Sequence, residues 1–375
     1  MTPPQILISA GETSGDMYAA QLATALQKRT SVHLFGMGGP RMREAGVELV
    51  ADASGIAVVG ITEVFHRLPA VWRAWRRLER EAVRRKPALA ITVDSPGFNF
   101  GLARRLKKHG VRNVYFISPQ IWAWRPRRMR WIRRRFERVL VIFPFEDKIY
   151  RQAGVAVNFV GHPLVDSVHA QMTREQFAAE FRLDANIPIV ALLPGSRPSE
   201  IRRSMPIIAE ACARLQQDHS VQYILAVAQG LEQGMLDAYD RPDLHVTRVH
   251  GAAVYDVLAT ADCAIVSSGT ATVEAALLGA PMVVVYRLSG LTAMIARRLV
   301  STPLFAMVNL ISGRRVVPEL IQDKFTSEAL EREVRRLLDS PEAREQQKRD
   351  LAEVRAKLGP AGAIERAAEI IAGML

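Results

Sequence analysis

The strongest constraint on the fold is an alternation of short apolar runs with segments of helical pattern, which begins near residue 5 and restarts near residue 188. Within each run the hydrophobic residues are consecutive, as in strands of a parallel sheet that is covered on both faces. Each array therefore predicts a doubly wound α/β domain. The predicted strands are 5–10, 32–37, 88–94, 113–118 and 139–143, and then 188–194, 221–228, 244–249, 263–268 and 281–287.

Two such arrays suit a chain of 375 residues, which is long for a single core. We expect two Rossmann-like domains that face a cleft, over 1–165 and 166–340. The apolar strands cease after about residue 326, and 341–375 has a helical pattern. We expect this helical tail to pack back on the first domain or onto a partner subunit.

The positive charge is concentrated in one part of the chain. The net charge is +12, and residues 64–138 contain 21 Lys and Arg but only four acids. The densest stretch, 122–136, has seven arginines, three tryptophans and no acid. Such a surface favours an anionic partner, and charge alone allows nucleic acid, an anionic membrane or merely the solvated face of a helix.

Other features indicate a cytoplasmic protein. Cys212 and Cys263 lie in apolar segments without metal-ligand spacing, as buried thiols do in a reducing compartment. The N-terminus lacks the pattern of a signal peptide. No apolar run reaches the roughly 18 residues that span a bilayer.

The loop GETSGD (11–16) follows the first predicted strand, at the end where doubly wound domains bind ligands. Its glycines allow a tight turn, and its polar groups would either contact a sugar or an acceptor or cap the following helix. The candidate cleft residues of this loop are Glu12, Ser14, Gly15 and Asp16.

A second loop, DSPGFNF (94–100), follows the strand predicted at 88–94. Asp94 fits a general base that faces the cleft, because Ser95 and Asn99 could act as helix caps in its place. A structural cap is the alternative role for Asp94. We also assign Asn99 to the acceptor or sugar side of the cleft.

In the second array, LPGSRPSE (193–200) offers what a diphosphate requires. Gly195 and Ser196 present backbone N–H groups at the start of a helix, and Arg197 adds a fixed cation. The alternative is that Arg197 only pairs with Glu200.

The segment SSGTATVEAALLGAPMVVVYR (267–287) joins a strand to a helix through small residues, which let backbone amides approach phosphate oxygens. Glu274 could accept hydrogen bonds from a ribose, although the helix dipole, worth ~0.3–1 kcal/mol, also explains its position. Together the two loops favour a nucleotide diphosphate. The candidates in this segment are Ser268, Gly269, Thr270, Ala271, Thr272 and Glu274.

The motifs GETSGD, DSPGFN, SPQIWAWR, FPFE, GHPLVD, LPGSR, SSGTATVEAALLGAPMVVVYR and the PE at 318–319 resemble lipid-A-disaccharide synthase, in this order. The resemblance runs from about residue 5 to about residue 370. SPQIWAWR and GETSGD are specific to that family, whereas the SSGTATVE segment is shared with two-domain glycosyltransferases of the GT-B type.

The resemblance implies an inverting transfer of 2,3-diacylglucosamine from its UDP derivative to the 6-hydroxyl of 2,3-diacylglucosamine 1-phosphate (lipid X). The products would be the β-1,6 lipid A disaccharide 1-phosphate and UDP. By this resemblance Asp94 is the base, Arg197 neutralises the leaving diphosphate and Glu274 holds the ribose. Asn309 would lie at the donor site and Gln120 in the acceptor or sugar cleft.

The family works without a divalent metal, and this sequence has neither a DxD motif nor ligand spacing among its eight histidines. We therefore expect no metal and no cofactor, the UDP-sugar being a substrate. Arg197 and helix-terminal amides would meet the charge that develops on the leaving diphosphate.

Acylated substrates lie in a bilayer, so the enzyme must reach the membrane. In 64–85, apolar residues recur at helical spacing with arginines on other faces, which is typical of a helix at an anionic interface. The alternative is a surface helix whose apolar stripe packs into the core. The predicted membrane contacts are Phe65, Leu68, Trp72, Trp75 and Arg76.

We accordingly expect peripheral association with the cytoplasmic face of the inner membrane of a Gram-negative-type bacterium. A homodimer is possible, and the sequence does not decide the oligomeric state. Three rivals are a nucleic-acid protein, another GT-B-type enzyme such as a cell-wall N-acetylglucosamine transferase or an epimerase, and a non-catalytic nucleotide-sugar binder. Nucleic acid is disfavoured because no recognisable nucleic-acid module accompanies the basic stretch.

Overall fold

The computed structural model describes residues 3–53, 61–118, 129–228, 231, 234–288 and 304–375. The chain divides into two compact units. Met1–Pro163 and Leu358–Leu375 form the first, and Leu164–Lys357 form the second.

A parallel sheet of seven strands forms the centre of the first unit. Its strands are β1 (Gln5–Ala10), β2 (His33–Gly38), β3 (Glu48–Asp52), β4 (Leu89–Val93), β5 (Asn113–Phe116), β6 (Arg138–Val141) and β7 (Val157–Phe159). They pair in the order β3-β2-β1-β4-β5-β6-β7. The described helices are α1 (Thr13–Arg29), α2 (Pro40–Glu44), α3 (Ile61–Arg85), α4 (Pro96–Lys108), α5 (Met129–Arg135) and α6 (Pro144–Gln152).

The second unit contains a parallel sheet of six strands. These are β8 (Ile189–Leu193), β9 (Gln222–Val227), β10 (Val246–His250), β11 (Cys263–Ser267), β12 (Met282–Tyr286) and β13 (Glu319–Ile321). Their order is β10-β9-β8-β11-β12-β13. The described helices are α7 (Leu164–Ser167), α8 (Arg174–Phe181), α9 (Pro198–Leu215), α10 (Val254–Thr260), α11 (Thr270–Leu277), α12 (Met307–Ser312), α13 (Ser327–Asp339) and α14 (Pro341–Lys357). Short 3-10 turns occur at Asp237–Tyr239, Gly251–Ala253 and Gln322–Lys324.

Both sheets are buried on two faces, which explains the continuous apolar runs of the sequence. Every residue of β4 and β8 is buried. On β1, Leu7 joins a core cluster that includes residues of α3 and α4, while α1 packs against the same strand. The doubly wound architecture predicted from the sequence is confirmed, and all ten predicted strands are present, with ends within two residues of those observed.

The C-terminal segment differs from the expectation that 341–375 is one tail. Helix α14 packs against α11 and α12 in the second unit. Only the last helix, α15 (Ala363–Ala372), belongs to the first unit, where it packs against α1. Gly359 and Gly362, both with positive φ, provide the turn between the two helices. The boundary between units falls after Pro163 rather than after residue 165.

The two cysteines are free thiols, as expected from the sequence, and both are buried in the core of the second unit. Burial raises the pKa of both thiols, that of Cys263 to about 12. In the described part of the chain, no helix combines the length and the apolar character needed to cross a membrane.

The packing of α15 on α1 predicts a large difference between two adjacent isoleucines. Ile371 is fully buried, whereas Ile370 is partly exposed. Ile371→Ala should lower the free energy of unfolding by about 2–4 kcal/mol, because it leaves a cavity in a packed interface. Ile370→Ala is the matched control and should cost less than about 1 kcal/mol. Denaturant unfolding measures both, and equal losses would contradict the assigned packing.

Candidate active site

The strand order of each sheet reverses at one pair of neighbours, β1 and β4 in the first unit and β8 and β11 in the second. Loops that leave such a pair run in opposite directions and open a crevice at the carboxyl ends of the strands. The loops that follow these four strands are those that the sequence singled out. Each unit therefore has its candidate residues at its own switch point.

Asp94 lies at the switch point of the first unit in a backbone conformation that is rare for residues other than glycine. Asp94 and Ser95 have φ values of 46° and 45°. Such strain is found mostly where function requires it. The Gly11 N–H donates to Ser95 Oγ at 3.1 Å, and a Cβ at position 11 would come within 2.9 Å of that oxygen. Gly11 thus allows the loops after β1 and β4 to close on each other.

Asn99 holds this loop from inside the fold. Its side chain is fully buried, donates to the carbonyls of Val93 at 3.0 Å and Asp94 at 2.7 Å, and accepts from Ser9 Oγ at 2.9 Å. The Tyr115 hydroxyl also donates to the Asp94 carbonyl, at 2.9 Å. Assigning Asn99 to the cleft was therefore wrong, since its amide is consumed in fixing the backbone of Asp94.

The Asp94 carboxyl group has the electrostatics of a base that works near neutral pH. Burial raises its pKa to about 7, and the negative charge of Glu12 adds to the rise. A hydrogen bond from the Ser95 backbone opposes the shift. A carboxyl group with a pKa near the working pH is well matched to proton transfer.

The GETSGD loop divides into structural and open positions. Asp16 is buried and accepts from the N–H groups of Gly39, Arg41 and Met42 at 2.6, 3.1 and 3.3 Å. It caps α2, which corrects its assignment to the cleft. Gly15 is buried against the Asp94 side chain, and a Cβ there would lie 3.9 Å from Asp94 Cβ. Glu12 and Ser14, both partly exposed, stay candidates for contact with an acceptor.

At the switch point of the second unit, Gly195 has a φ of 127° and the backbone turns sharply into α9. Arg197 Nη1 donates to Glu200 Oε1 at 3.2 Å. The ion pair that the sequence left as an alternative is therefore present. The Arg197 side chain is still 47% exposed, so it also faces solvent at this loop.

The N-terminus of α11 follows β11, the neighbouring strand. Gly269 precedes the helix and, having no side chain, does not cap it by a hydrogen bond. Ser268 is partly exposed, as is Ala271, whereas Gly269 and Thr270 are exposed. Thr272 is fully buried, and its hydroxyl donates to the Gly269 carbonyl at 2.8 Å. Its hydroxyl shapes the turn, which corrects the expectation that it binds the nucleotide.

Glu274 is partly buried in α11, where it accepts from the Tyr255 hydroxyl at 3.4 Å. Burial raises the pKa of this carboxyl, and the hydrogen bond from Tyr255 opposes the rise. A partly buried carboxylate near the start of α11 keeps the properties expected of a ribose acceptor.

Asn309 has no hydrogen-bonding capacity left for a ligand. Its Nδ2 donates to the Val317 carbonyl at 3.0 Å and to Glu319 Oε1 at 2.8 Å, and its Oδ1 accepts from the N–H groups of Val316 and Val317. An amide offers two donors and two acceptor sites, and all four are used. The assignment of Asn309 to the donor is therefore corrected. Glu319, which also accepts from the N–H groups of Phe305 and Ala306, is its partner in bracing the start of β13.

Helix α3 combines both roles that the sequence left open. Trp75 donates to the Phe98 carbonyl at 3.1 Å and packs on α4, where a Cβ at position 101 would lie 2.2 Å from its ring. Trp75 is thus a packing residue, and its assignment as a membrane contact was wrong. Leu68 and Trp72 are 50% and 45% exposed, and the Arg76 guanidinium lies 3.7 Å above the Trp72 ring.

Two sequence predictions lie outside the described residues, namely Gln120 and the side chain of Phe65. Among the residues that the structure does describe, no group of three or more His, Cys, Asp and Glu could hold a metal ion. Sequence reasoning did not select Tyr115 for a role, since its contact with Asp94 depends on the pairing of β4 with β5.

Comparison with known proteins identifies the family. A family model described as lipid-A-disaccharide synthetase matches residues 6–372. The lipid-A-disaccharide synthase of Geobacter sulfurreducens is 44% identical over 100% of this chain and 98% of its own length. The enzyme of the same name from Acidobacterium capsulatum is 45% identical, over 99% of this chain and 96% of its own.

The chain belongs to the lipid-A-disaccharide synthase family.

Solved structures agree on the fold. A UDP-GlcNAc 2-epimerase from Neisseria meningitidis, solved with UDP-GlcNAc bound, aligns with a TM-score of 0.68 at 10% identity over 98% of both chains. Acinetobacter baumannii MurG aligns with a TM-score of 0.59 at 13% identity, over 98% of this chain and 99% of its own. The GT-B-type fold is therefore confirmed. Membership of the lipid-A-disaccharide synthase family makes the chain a glycosyltransferase and decides against the three rivals.

The raised pKa of Asp94 predicts a pH-dependent loss of stability. The folded state favours the protonated carboxyl, with a pKa of about 7 against 3.8 in the absence of the fold. The free-energy cost of ionising the Asp94 carboxyl in the folded state is therefore absent at low pH, grows as the pH rises above 4, and is complete above about 7. Asp94→Asn should be more stable than the wild type by about 1–3 kcal/mol at pH 8 and close to it at pH 4. Unfolding at both pH values measures the difference, and the same difference at pH 4 and pH 8 would contradict the shift.

Proposed function

We propose that the chain transfers 2,3-diacylglucosamine from its UDP derivative to the 6-hydroxyl of 2,3-diacylglucosamine 1-phosphate. The products are the β-1,6-linked lipid A disaccharide 1-phosphate and UDP. The family match over residues 6–372 carries this proposal. Two of the switch-point loops support it. The loop after β4 presents Asp94, whose pKa is raised, and the loop after β8 presents backbone amides and Arg197.

In this proposal Asp94 takes the proton of the acceptor hydroxyl while the hydroxyl oxygen attacks the anomeric carbon of the donor. The bond from that carbon to the diphosphate breaks, and UDP leaves with the bonding pair. Attack from the face opposite the leaving group inverts the anomeric centre. The strained and braced backbone of Asp94 supports this role, since a fixed base loses little freedom in the transition state.

The leaving diphosphate gains negative charge as the bond breaks. We assign its neutralisation to Arg197 and to backbone N–H groups of Gly195, Ser196 and the start of α11 (Gly269 to Ala271). The Ser268 N–H is not part of this set, because it donates to the Val285 carbonyl at 3.0 Å. Fixed donors at helix N-termini suit this task because they need no reorganisation during the reaction. Glu274 accepts from the ribose hydroxyls. No metal or other cofactor is part of the proposal.

Membrane contact is the other part of the proposal. Leu68, Trp72 and Val83 are exposed apolar residues on α3, and their spacing of four and eleven residues places them on one side of the helix. Exposed arginines, including Arg76, lie on the same helix. We propose that this surface binds anionic lipid at the cytoplasmic face of the inner membrane. A homodimer is compatible with the proposal but is not needed for it.

The role of Asp94 predicts a steep loss of turnover on a neutral substitution. Asp94→Asn should lower kcat by about 10²–10⁴-fold with acylated donor and acceptor, because the proton acceptor is gone. In the wild type, kcat/KM should rise with pH through about 7, where the Asp94 carboxyl ionises.

Substitution of Glu12 tests whether the base is Asp94 or its acidic neighbour Glu12. Since the charge of Glu12 raises the pKa of Asp94, Glu12→Gln should move the acidic limb of the pH profile to lower pH while most of kcat is retained. If Glu12→Gln abolishes turnover and Asp94→Asn does not, Glu12 is the base and our assignment is wrong.

Binding to anionic vesicles tests the proposed membrane surface. Leu68→Ser and Trp72→Ser should each weaken flotation with anionic lipid, because each removes exposed apolar area from the interface. Leu375→Ser is the matched control, since Leu375 is exposed to 41% but lies at the C-terminus. Equal flotation of the control and the two test variants would remove α3 from the membrane surface.

A further inference from the structure

A carboxylate of the chain itself occupies the loop that we assign to the donor diphosphate. Glu200 Oε2 accepts from the N–H groups of Ser196 at 3.1 Å and Arg197 at 3.3 Å. Glu200 Oε1 accepts from Arg197 Nη1 at 3.2 Å. Two backbone amides and one guanidinium therefore point at an internal anion.

The loop is shaped around this carboxylate. Gly195 has a positive φ, and a Cβ at this position would lie 2.6 Å from Glu200 Oε2 and 2.8 Å from Glu200 Cβ. The Glu200 side chain is only 13% exposed, although it lies in the first turn of a surface helix. A larger residue at 195 would force the Glu200 side chain out of this position.

The donors that hold Glu200 are of the kind that bind phosphate. Backbone N–H groups at a helix N-terminus together with an arginine suit a phosphate as well as a carboxylate. The N–H groups of Ser196 and Arg197 cannot hydrogen-bond fully to the Glu200 carboxylate and to a phosphate at the same time. The two negative charges would also repel each other if both anions lay at this loop. A diphosphate that uses Ser196 and Arg197 must therefore displace Glu200.

The chain offers a second cation to a displaced carboxylate. Arg203 follows Glu200 by three residues on α9, and residues at this spacing are neighbours on a helix surface. Arg203 Nη1 donates to the Ser199 carbonyl at 3.1 Å, so its side chain already extends toward the start of the helix.

We propose that Glu200 is an internal competitor for the donor diphosphate. Its carboxylate accepts from the backbone N–H groups of Ser196 and Arg197 and from the Arg197 guanidinium. It leaves these donors when the UDP group binds and returns to them when UDP departs. This inference rests on the proposed function, because it takes the 195–197 loop to be the diphosphate site. The competitor lowers the fraction of enzyme that is ready to bind, which weakens the apparent affinity for UDP and favours product release.

The variant Glu200→Gln tests this role without removing the helix cap. Glutamine accepts the same backbone hydrogen bonds at this position of a capping box but carries no charge for Arg197. Because the competitor is weakened by roughly one charge-assisted contact, the Kd for UDP should fall by about 3–10-fold. Calorimetry measures UDP binding, and the donor KM and inhibition by UDP should show tighter binding as well.

Two controls make the result specific. Glu210→Gln alters a glutamate of the same helix that pairs with Arg214 and Arg241, and it should leave the UDP affinity unchanged. Uridine, which has no phosphate, should bind Glu200→Gln and the wild type equally. A thermal melt of each variant confirms that the fold is retained.

The outcomes separate this inference from the function on which it rests. If the wild type binds UDP and Glu200→Gln binds it equally or more weakly, the competitor role is wrong while the proposed function stands. Equal tightening of uridine and UDP also overturns the competitor role, since no phosphate is then involved. If the wild type binds no UDP, the proposed donor site and this inference fall together.

Discussion

Parallel strand pairing is the constraint on which the rest of this structure depends. Two neighbouring parallel strands must be joined by a crossover, so every strand of a sheet delivers its carboxyl end to the same edge. The direction of winding reverses once in each sheet, between β1 and β4 and between β8 and β11. Residues more than 70 positions apart in sequence meet at these points, as Gly11 and Ser95 do through one hydrogen bond. Without the reversal, the loops would cover one another and leave no crevice.

The same packing that holds Asp94 also gives it its chemistry. Its carbonyl is fixed by Asn99 and Tyr115, and its backbone adopts a left-handed conformation that only a well-determined surrounding can maintain. Burial raises the pKa of its carboxyl group, and the charge of Glu12 raises it further. The site is therefore destabilised at neutral pH by the property that suits it to accept a proton. The buried hydrogen bonds beneath it offset that cost.

The sequence was sufficient for the inner strands of each sheet but for only one of the four edge strands, β10. The three strands without a sequence prediction are β3, β7 and β13, and all three lie at a sheet edge. An edge strand has one neighbour and is incompletely covered, so it is short and mixes polar with apolar residues. The loops of the candidate site were predicted for the same reason as the central strands, since they follow strands that are apolar throughout.

What the sequence could not decide was the use of individual polar side chains in those loops. Asp16, Asn99, Thr272 and Asn309 were assigned to ligands, yet each is consumed by the fold. A polar residue after a strand can bind a ligand or satisfy a backbone group, and the choice depends on partners that only the folded chain brings near. Asp16 shows this clearly, because its partners begin 23 residues later.

Three carboxylates, Asp94 directly after β4, Glu200 in the first turn of α9 and Glu274 within α11, show how neighbours decide the use of one chemical group. Asp94 is buried with another acid nearby, and its pKa rises until it can exchange a proton near neutral pH. Glu274 is partly buried and, among the residues that the structure describes, accepts from one hydroxyl, so most of its accepting capacity stays available to a ligand. Glu200 accepts hydrogen bonds from two backbone amides and a guanidinium, which hold it in place of another anion. Each environment follows from the position of the carboxylate in the chain and from the groups that the fold brings next to it. The chemistry of the two units is therefore set by the partners of these groups rather than by their identity.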